Sequence, residues 1–452
     1  MLVSFRTIFK MRKYHQLLLF IMTVVSLSTL LMYRREYLKL RYVLEVLNYF
    51  GSPQGGGEDC LVLNDTYMEK ERNKHLFSQP QSSWIRVSQH FVFSAFWETE
   101  GDRLHVRALA VGPPSAFTNY ECHIWYDEGD YLSSVMGKFG YSLRNIPKFY
   151  NETKERQTIN IYELFCEPVE TQSKGAPYGL VLIHKTDTTR IKTFIAIFKA
   201  EISSQNRQGK VAVCVRADVS GASKSSIVEF ISYHQAVGVT DFIVYENGLQ
   251  YRILSVLESL TGLKGFSESI ETLHWNFPYS DLDAETTVLE MDCIARTSGR
   301  VETVAVLEWD EYLVPKLHHS ITEMLQEASP SKRIPVQFEL ESFICCTDLK
   351  DDKRAEKSWP VAMRKTQMMS IKVKRQLIIE YPVVGIEPSK LKLPSTTGAI
   401  LIYRPCSGIK TVTKYDPIMA RYLGSMITSK LFKLWKSGSL LTENHDKHLN
   451  LN

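Results

Sequence analysis

The stretch from Lys210 to Leu307 constrains the fold most, because short apolar runs alternate in it with segments of helical period. Val211–Val215 reads as a strand. Ser223–Val237 reads as an amphipathic helix, with Ser223, Ser225 or Ser226 to cap it and Gly238 to end it. Phe242–Tyr245 is a second strand, Gln250–Leu260 a second helix closed by Gly262, and Ser269–His274 a third strand. Asp283–Arg296 is a third helix with Asp281 or Asp283 as cap, and Val304–Leu307 a fourth strand. Strands that alternate with helices of this length make βαβ units, so the class is α/β with a parallel sheet.

The fourth strand lies in Val301–Pro315, VETVAVLEWDEYLVP. Read as one extended run, it puts Glu308 and Asp310 on one face and Trp309 on the other. Paired carboxylates at the end of a buried strand are costly unless something pairs with them. Open α/β sheets bind ligands outside the carboxyl ends of their strands, where this pair falls. Hard oxygen ligands suit Mg²⁺ or Mn²⁺, and such an ion could bridge to a pyrophosphate. The plain alternative is a solvated loop or a helix cap.

With 452 residues the chain has room for two domains and a short extra segment. A net charge of +4 argues neither for nucleic acid nor for a polybasic membrane surface. Leu17–Tyr33, LLLFIMTVVSLSTLLMY, is uncharged and mostly apolar, at the short end for a membrane-spanning helix. Tyr33-Arg34-Arg35 follows it instead of a small-x-small cleavage site, so it reads as an uncleaved anchor. Basic residues flank it on both sides and leave its orientation to other signals. The sequons at Asn64 and Asn151, and 8 cysteines without C-x-x-C spacing, point to a lumenal C-terminal part.

The expected organisation is a cytosolic tail over 1–14, an anchor over 15–33 and a stem over 34–83. A mostly β domain over 84–205 and an α/β domain over 206–440 follow, with a tail over 441–452. The stem carries a Gly-rich linker at Gly51–Gly57, and Cys60 could tie it to the next domain or to a second chain, a homodimer. In the β domain, Phe91–Trp97, Leu104–Val111, Tyr120–Tyr126, Gly179–His184 and Thr193–Ile202 read as strands. Cys122 and Cys166 could pair there. Cys293 reads as a buried or disulfide cysteine, and the neighbours Cys345 and Cys346 as paired elsewhere or buried.

The order of Val213-Cys214-Val215-Arg216, Glu229–Phe242, Asp292-Cys293-Ile294-Ala295-Arg296 and Glu308–Pro315 resembles glycosyltransferase family 92. Phe93-Ser94-Ala95-Phe96-Trp97 resembles the family's upstream β segment, and the likeness spans about residues 90–430. The resemblance implies a GT-A-like catalytic domain, Rossmann-type with a parallel or mixed sheet, behind the β domain and the N-terminal transmembrane helix. It implies a metal-dependent, inverting transfer of a hexose, with galactose the expected sugar, from a UDP-sugar to a hydroxyl of a glycan on glycoprotein or glycolipid. It also implies a single-pass type II Golgi membrane protein with its catalytic part in the lumen.

The family's D-x-D would fall on Glu308 and Asp310 as ligands of Mn²⁺ or Mg²⁺, with Asp310 binding directly and Glu308 reaching the ion or the ribose through water. Arg216, Tyr245, Glu246 and Glu308 would line the nucleotide, and Asp310 and Glu311 would act in catalysis. Glu311, Asp281, Asp283, Glu339 and Glu341 are the candidates for the base.

The chain departs from the pattern. Glu308 replaces an aspartate, and Trp309 interrupts the acidic core. Where the family tends to place histidines stand Glu387 and Ile402, and no histidine occurs between His319 and His445. Glu387 or Asp416 could supply the missing ligand. The alternative reading is a catalytically silent relative, a lumenal glycan-binding or assembly partner. Motifs of P-loop enzymes, dinucleotide dehydrogenases, zinc peptidases and serine hydrolases are absent. An Asp310 turned from any cleft, or held by an arginine in the interior, would remove the transferase reading.

Overall fold

The alternation from Val211 onward is present in the structure, a computed structural model. It describes Met22, Ser26 and residues 84–100, 103–115, 117, 119–128, 132–147, 159–169, 176–185, 194–199, 207–216, 222–247, 257, 269–329, 334–371, 377–406 and 414–436. No described helix is long and apolar enough to cross a membrane. The expected anchor, apart from Met22 and Ser26, lies outside the described residues, as do both sequons and Cys60. So does the expected helix 250–260, except for Leu257, which is helical and buried.

Residues 61–452 form one compact unit. It begins with strands β1 (Ile85–Val87), β2 (His90–Glu100), β3 (Arg103–Gly112), β4 (Tyr120–Asp127), β5 (Leu132–Arg144), β6 (Asn160–Pro168), β7 (Ala176–His184) and β8 (Phe194–Lys199). Their order is β1-β2-β3-β6-β5-β4-β7-β8, and β8 pairs back onto β2. Strands β2 to β8 therefore close into a barrel, with the short β1 added at β2. Alternate residues point inward, so Val106, Ala108 and Ala110 of β3 meet Ile124, Leu164 and Leu180 in the barrel core. Cys122 and Cys166 pair across β5. The bond runs over Gly137, where a Cβ would collide with Cys166 Sγ and lie 2.8 Å from Cys122 Sγ.

Behind the barrel come β9 (Val211–Val215), α1 (Lys224–Ala236), β10 (Val239–Glu246), β11 (Ser269–His274), α2 (Leu282–Thr297) and β12 (Thr303–Leu307). Ser223 Oγ accepts the Ser226 amide, and Gly238 at φ +99° receives the end of α1. Asp281 caps α2 by accepting the Ala284 amide. These strands are parallel in the order β11-β10-β9-β12. Both faces are covered, which is why the strands are apolar throughout. Val211, Val213 and Val215 pack on the α1 side, while Ala212 and Cys214 pack on the α2 side. Cys214 is disulfide-bonded to Cys293 of α2.

The rest of the chain adds β13 (Glu311–Pro315), α3 (Ile321–Ala328), β14 (Val336–Glu339), β15 (Ser342–Cys346), α4 (Val361–Arg364), β16 (Gln367–Ile371), β17 (Leu377–Glu380), β18 (Ser389–Lys392), β19 (Gly398–Arg404) and β20 (Lys414–Tyr415). Short helices α5 (Leu423–Thr428) and α6 (Lys430–Lys436) follow. β17, β14 and β18 extend the parallel sheet beyond β12, with β17 antiparallel to β12. The other strands form a second sheet, β13-β19-β15-β16-β20, tied by Cys346–Cys406, while Cys345 is a buried thiol.

Barrel and sheet share one core through α2. Ala284, Val288 and Leu289 meet Phe93, Phe96 and Leu109 of the barrel on one side and Val304 and Val306 of β12 on the other. At its heart Asp292 accepts hydrogen bonds from Ser94 of β2, Tyr245 of β10 (2.7 Å) and Arg296 (2.6 Å).

Val301–Pro315 is not one extended strand. β12 ends at Leu307, and a turn closes with the Glu311 amide donating to Glu308 O at 3.0 Å. β13 then starts in the other sheet. The expected separation still arises, by the turn instead of the pleat. Trp309 is buried against Phe230, while Glu308 and Asp310 stand together outside.

Candidate functional site

β9 is the point where the sheet reverses, since β10 lies on one side of it and β12 on the other. Such a switch leaves a crevice beyond the carboxyl ends of the two diverging strands. Arg216 follows β9 and Glu308 follows β12, and the Arg216 amide donates to Leu307 O at 2.9 Å. Arg216 is buried. Its guanidinium lies 3.4 Å from Glu290 of α2 and 3.7 Å from Glu308.

The second guanidinium comes from Arg404 at the end of β19. Its Nε donates to Asp310 Oδ2, and its Nη2 donates to Asp310 Oδ1 at 3.1 Å and to Glu308 Oε2. The backbone sets this geometry, because the Tyr403 amide donates to Asp310 O at 2.9 Å. Glu290, Arg216, Glu308, Arg404 and Asp310 thus form an alternating chain of charges. The guanidinium of Arg404 is held above its ordinary pKa, first by its hydrogen bond to Asp310, with burial opposing. Side-chain exposures of 43% for Arg404, 33% for Asp310 and 24% for Glu308 put the cluster at a surface, not in the interior. Asp310 is therefore held by an arginine, but in an open position.

Glu246 ends β10 and is bonded to His274 at the end of β11, its Oε1 lying 2.7 Å from Nδ1. Burial lowers the His274 pKa. Glu246 thus lies at the carboxyl edge of the sheet, as expected. Tyr245 does not face the crevice. It is fully buried, packs on Trp275 and donates to Asp292. The pleat explains this, since Ile243 and Tyr245 share the face covered by α2. Glu311 is also buried, and its Oε2 accepts the Glu308 amide at 2.9 Å. It fixes the turn that presents Glu308. Asp281 is spent as a cap, Asp283 is buried, and Glu339 and Glu341 are exposed beside β14 and β15.

The residues do not fit a divalent ion. Both carboxylates expected to hold it are engaged by Arg404. Among the described residues no third carboxylate, histidine or cysteine assembles with them, so Glu387 and Asp416 do not complete a ligand set. The one group of suitable spacing among the described residues, Cys346, Asp348 and Cys406, contains two sulfurs already joined to each other. Ile402, where a ligating histidine was sought, is buried in the core.

Sequence reasoning missed Arg404, Glu290 and His274 as members of the site. A signal existed for Arg404 and His274, because each is the last residue of a strand.

Fold and site together define a mixed α/β protein with a charged cluster at the carboxyl edge of its parallel sheet. Residues 209–381 match the model of glycosyltransferase family 92. No curated protein matches the chain. Among solved structures, HddC from Yersinia pseudotuberculosis is similar at 14% identity, over 43% of this chain and 90% of its own, with a TM-score of 0.23. A UDP-glucose pyrophosphorylase from Acinetobacter baumannii is similar at 12% identity, over 51% and 98%, with a TM-score of 0.22. Another UDP-glucose pyrophosphorylase, complexed with UDP-glucose, is similar at 9% identity, over 50% and 98%, with a TM-score of 0.23.

Proposed function

We propose that the protein transfers a hexose from a UDP-sugar to a hydroxyl of a glycan on glycoprotein or glycolipid, at the crevice beyond β9 and β12. The observation that carries the reading is the meeting of Arg216, Glu308, Asp310 and Arg404 there, three of them within the family-matched segment. Breaking a sugar–phosphate bond builds negative charge on the departing diphosphate, so a transferase needs fixed positive charge beside it. Arg216 and Arg404 are the cations at this edge. The sequence expectation of Mn²⁺ or Mg²⁺ on Glu308 and Asp310 meets carboxylates already paired with Arg404.

Galactose is the sugar in this reading, by resemblance to the family. The Golgi lumen is the compartment and Leu17–Tyr33 the type II anchor. Three disulfides among the described residues support an oxidising lumen. The direct test offers UDP-galactose, UDP-glucose and UDP-N-acetylgalactosamine to the full-length protein with a mixed glycan acceptor. Release of UDP above a no-enzyme control is expected with UDP-galactose.

A second reading, a silent member that binds glycans or partners, is favoured by one observation: Arg404 engages both carboxylates of the motif. Failure of every UDP-sugar to bind or turn over would select it.

A further inference from the structure

We infer that Arg404 takes the place of the divalent ion, so that a nucleoside diphosphate binds at this crevice without metal. The inference rests on the proposed use of a UDP-sugar and changes how its charge is met. Three observations lead to it.

First, the guanidinium occupies the oxygens an ion would need. Nε and Nη2 together spend their hydrogens on both oxygens of Asp310 and on one of Glu308. A second cation on the same oxygens would meet the first at contact distance, and like charges that close repel strongly.

Second, the arginine is oriented but not used up. Its Nη1 makes no hydrogen bond to a described residue, and the side chain is 43% exposed. A guanidinium clamped on one edge by two carboxylates offers its remaining N–H groups in a fixed direction. Planar donors of that kind match phosphate oxygens. The two carboxylates then act as the frame that aims the cation.

Third, the backbone builds this arrangement in. The Tyr403 amide donates to Asp310 O, and the Thr347 amide donates to Arg404 O at 3.0 Å. β19 is thereby tied on one side to the motif turn and on the other to the segment after β15. Arg404 reaches the crevice from a strand end between two anchors, not from a free loop.

Arg216 is the second cation of the site, bridging Glu290 and Glu308. It leaves the diphosphate with a guanidinium on each side of Glu308.

The test is calorimetric titration of UDP into the full-length protein, in EDTA and separately in Mn²⁺, with thermal melting of each sample as a check on folding. The inference expects UDP to bind in EDTA with an affinity within about twofold of that in Mn²⁺, far below the tenfold that corresponds to 1.4 kcal/mol. Arg404→Ala should weaken UDP about tenfold or more, as loss of hydrogen bonds to a charged group does. Arg404→Lys keeps the charge without the fork and should fall between the two.

Binding that appears only with Mn²⁺, or an Arg404→Ala protein that binds UDP as the parent does, overturns the inference and leaves the transferase reading standing. Absence of UDP binding under every condition, in a protein that still melts cooperatively, removes both. If Arg404→Ala does not fold, the comparison of EDTA with Mn²⁺ on the unaltered protein decides alone.

Discussion

Arg404 sets the chemistry of this crevice at the scale of single residues, and its dependence on Asp310 can be measured. Asp310→Asn keeps the shape of the side chain but loses the charge that clamps Nε and Nη2. The pair is partly exposed, so stability should fall by no more than about 1 kcal/mol. UDP affinity should fall about tenfold, because the guanidinium is no longer aimed. Chemical denaturation beside UDP titration separates the two effects, and an equal loss in both would mean a merely structural pair.

Glu229 offers a second test at this scale. Burial, the largest cause, pushes its carboxyl up to about 7, against the Val361 and Ala362 amides and the charges of Arg364 and Lys436. The folded state therefore holds a proton that the unfolded chain releases from its ordinary 4.5 upward. Stability from this site falls as pH rises between those two values, and is flat above about 7. Glu229→Gln has no such loss. The stability of this variant relative to the parent should rise with pH across that window by a few kcal/mol, each pKa unit being worth about 1.4. A difference that does not change with pH would contradict the assignment.

The sequence placed Glu308 and Asp310 together, and it placed Arg216 and Glu246 at the carboxyl edge. It could not find Arg404, whose partners lie almost a hundred positions earlier. Nor could it turn Tyr245 inward, since that depends on which face α2 covers.

Among the elements, what could be read was whatever local chemistry decides. Ser223, Asp281 and Gly238 mark helix ends because each meets its backbone partner within a turn. β5 and β6 were not legible. β5 is largely exposed, so it lacks the alternation that betrays a half-buried strand, and closure of the barrel, not its own sequence, makes it a strand. The break at Glu308–Glu311 was hidden because apolar runs flank it on both sides.

Gly137 tests the barrel at this scale. Gly137→Ala would drive a methyl group into the Cys122–Cys166 bond. Overpacking of that kind costs about 1–3 kcal/mol. The variant should melt lower, and an unchanged melting temperature would refute the packing described here.

Over the whole molecule, α2 joins barrel and sheet into one folding unit. Asp292 is contacted from the barrel by Ser94, from the sheet by Tyr245 and from its own helix by Arg296. Removing one partner of a buried, hydrogen-bonded charge costs about 3–5 kcal/mol. Asp292→Ala should therefore lower the melting temperature of barrel and sheet together, in a single calorimetric transition. Two separate transitions in the parent protein would show that the domains fold apart.

Where a nucleoside diphosphate binds is read most directly by amide hydrogen exchange with and without UDP. Slower exchange at 308–311 and 403–404, with β2 to β8 unchanged, is the result predicted. Protection confined to the barrel, or none under conditions where UDP is bound, would contradict it.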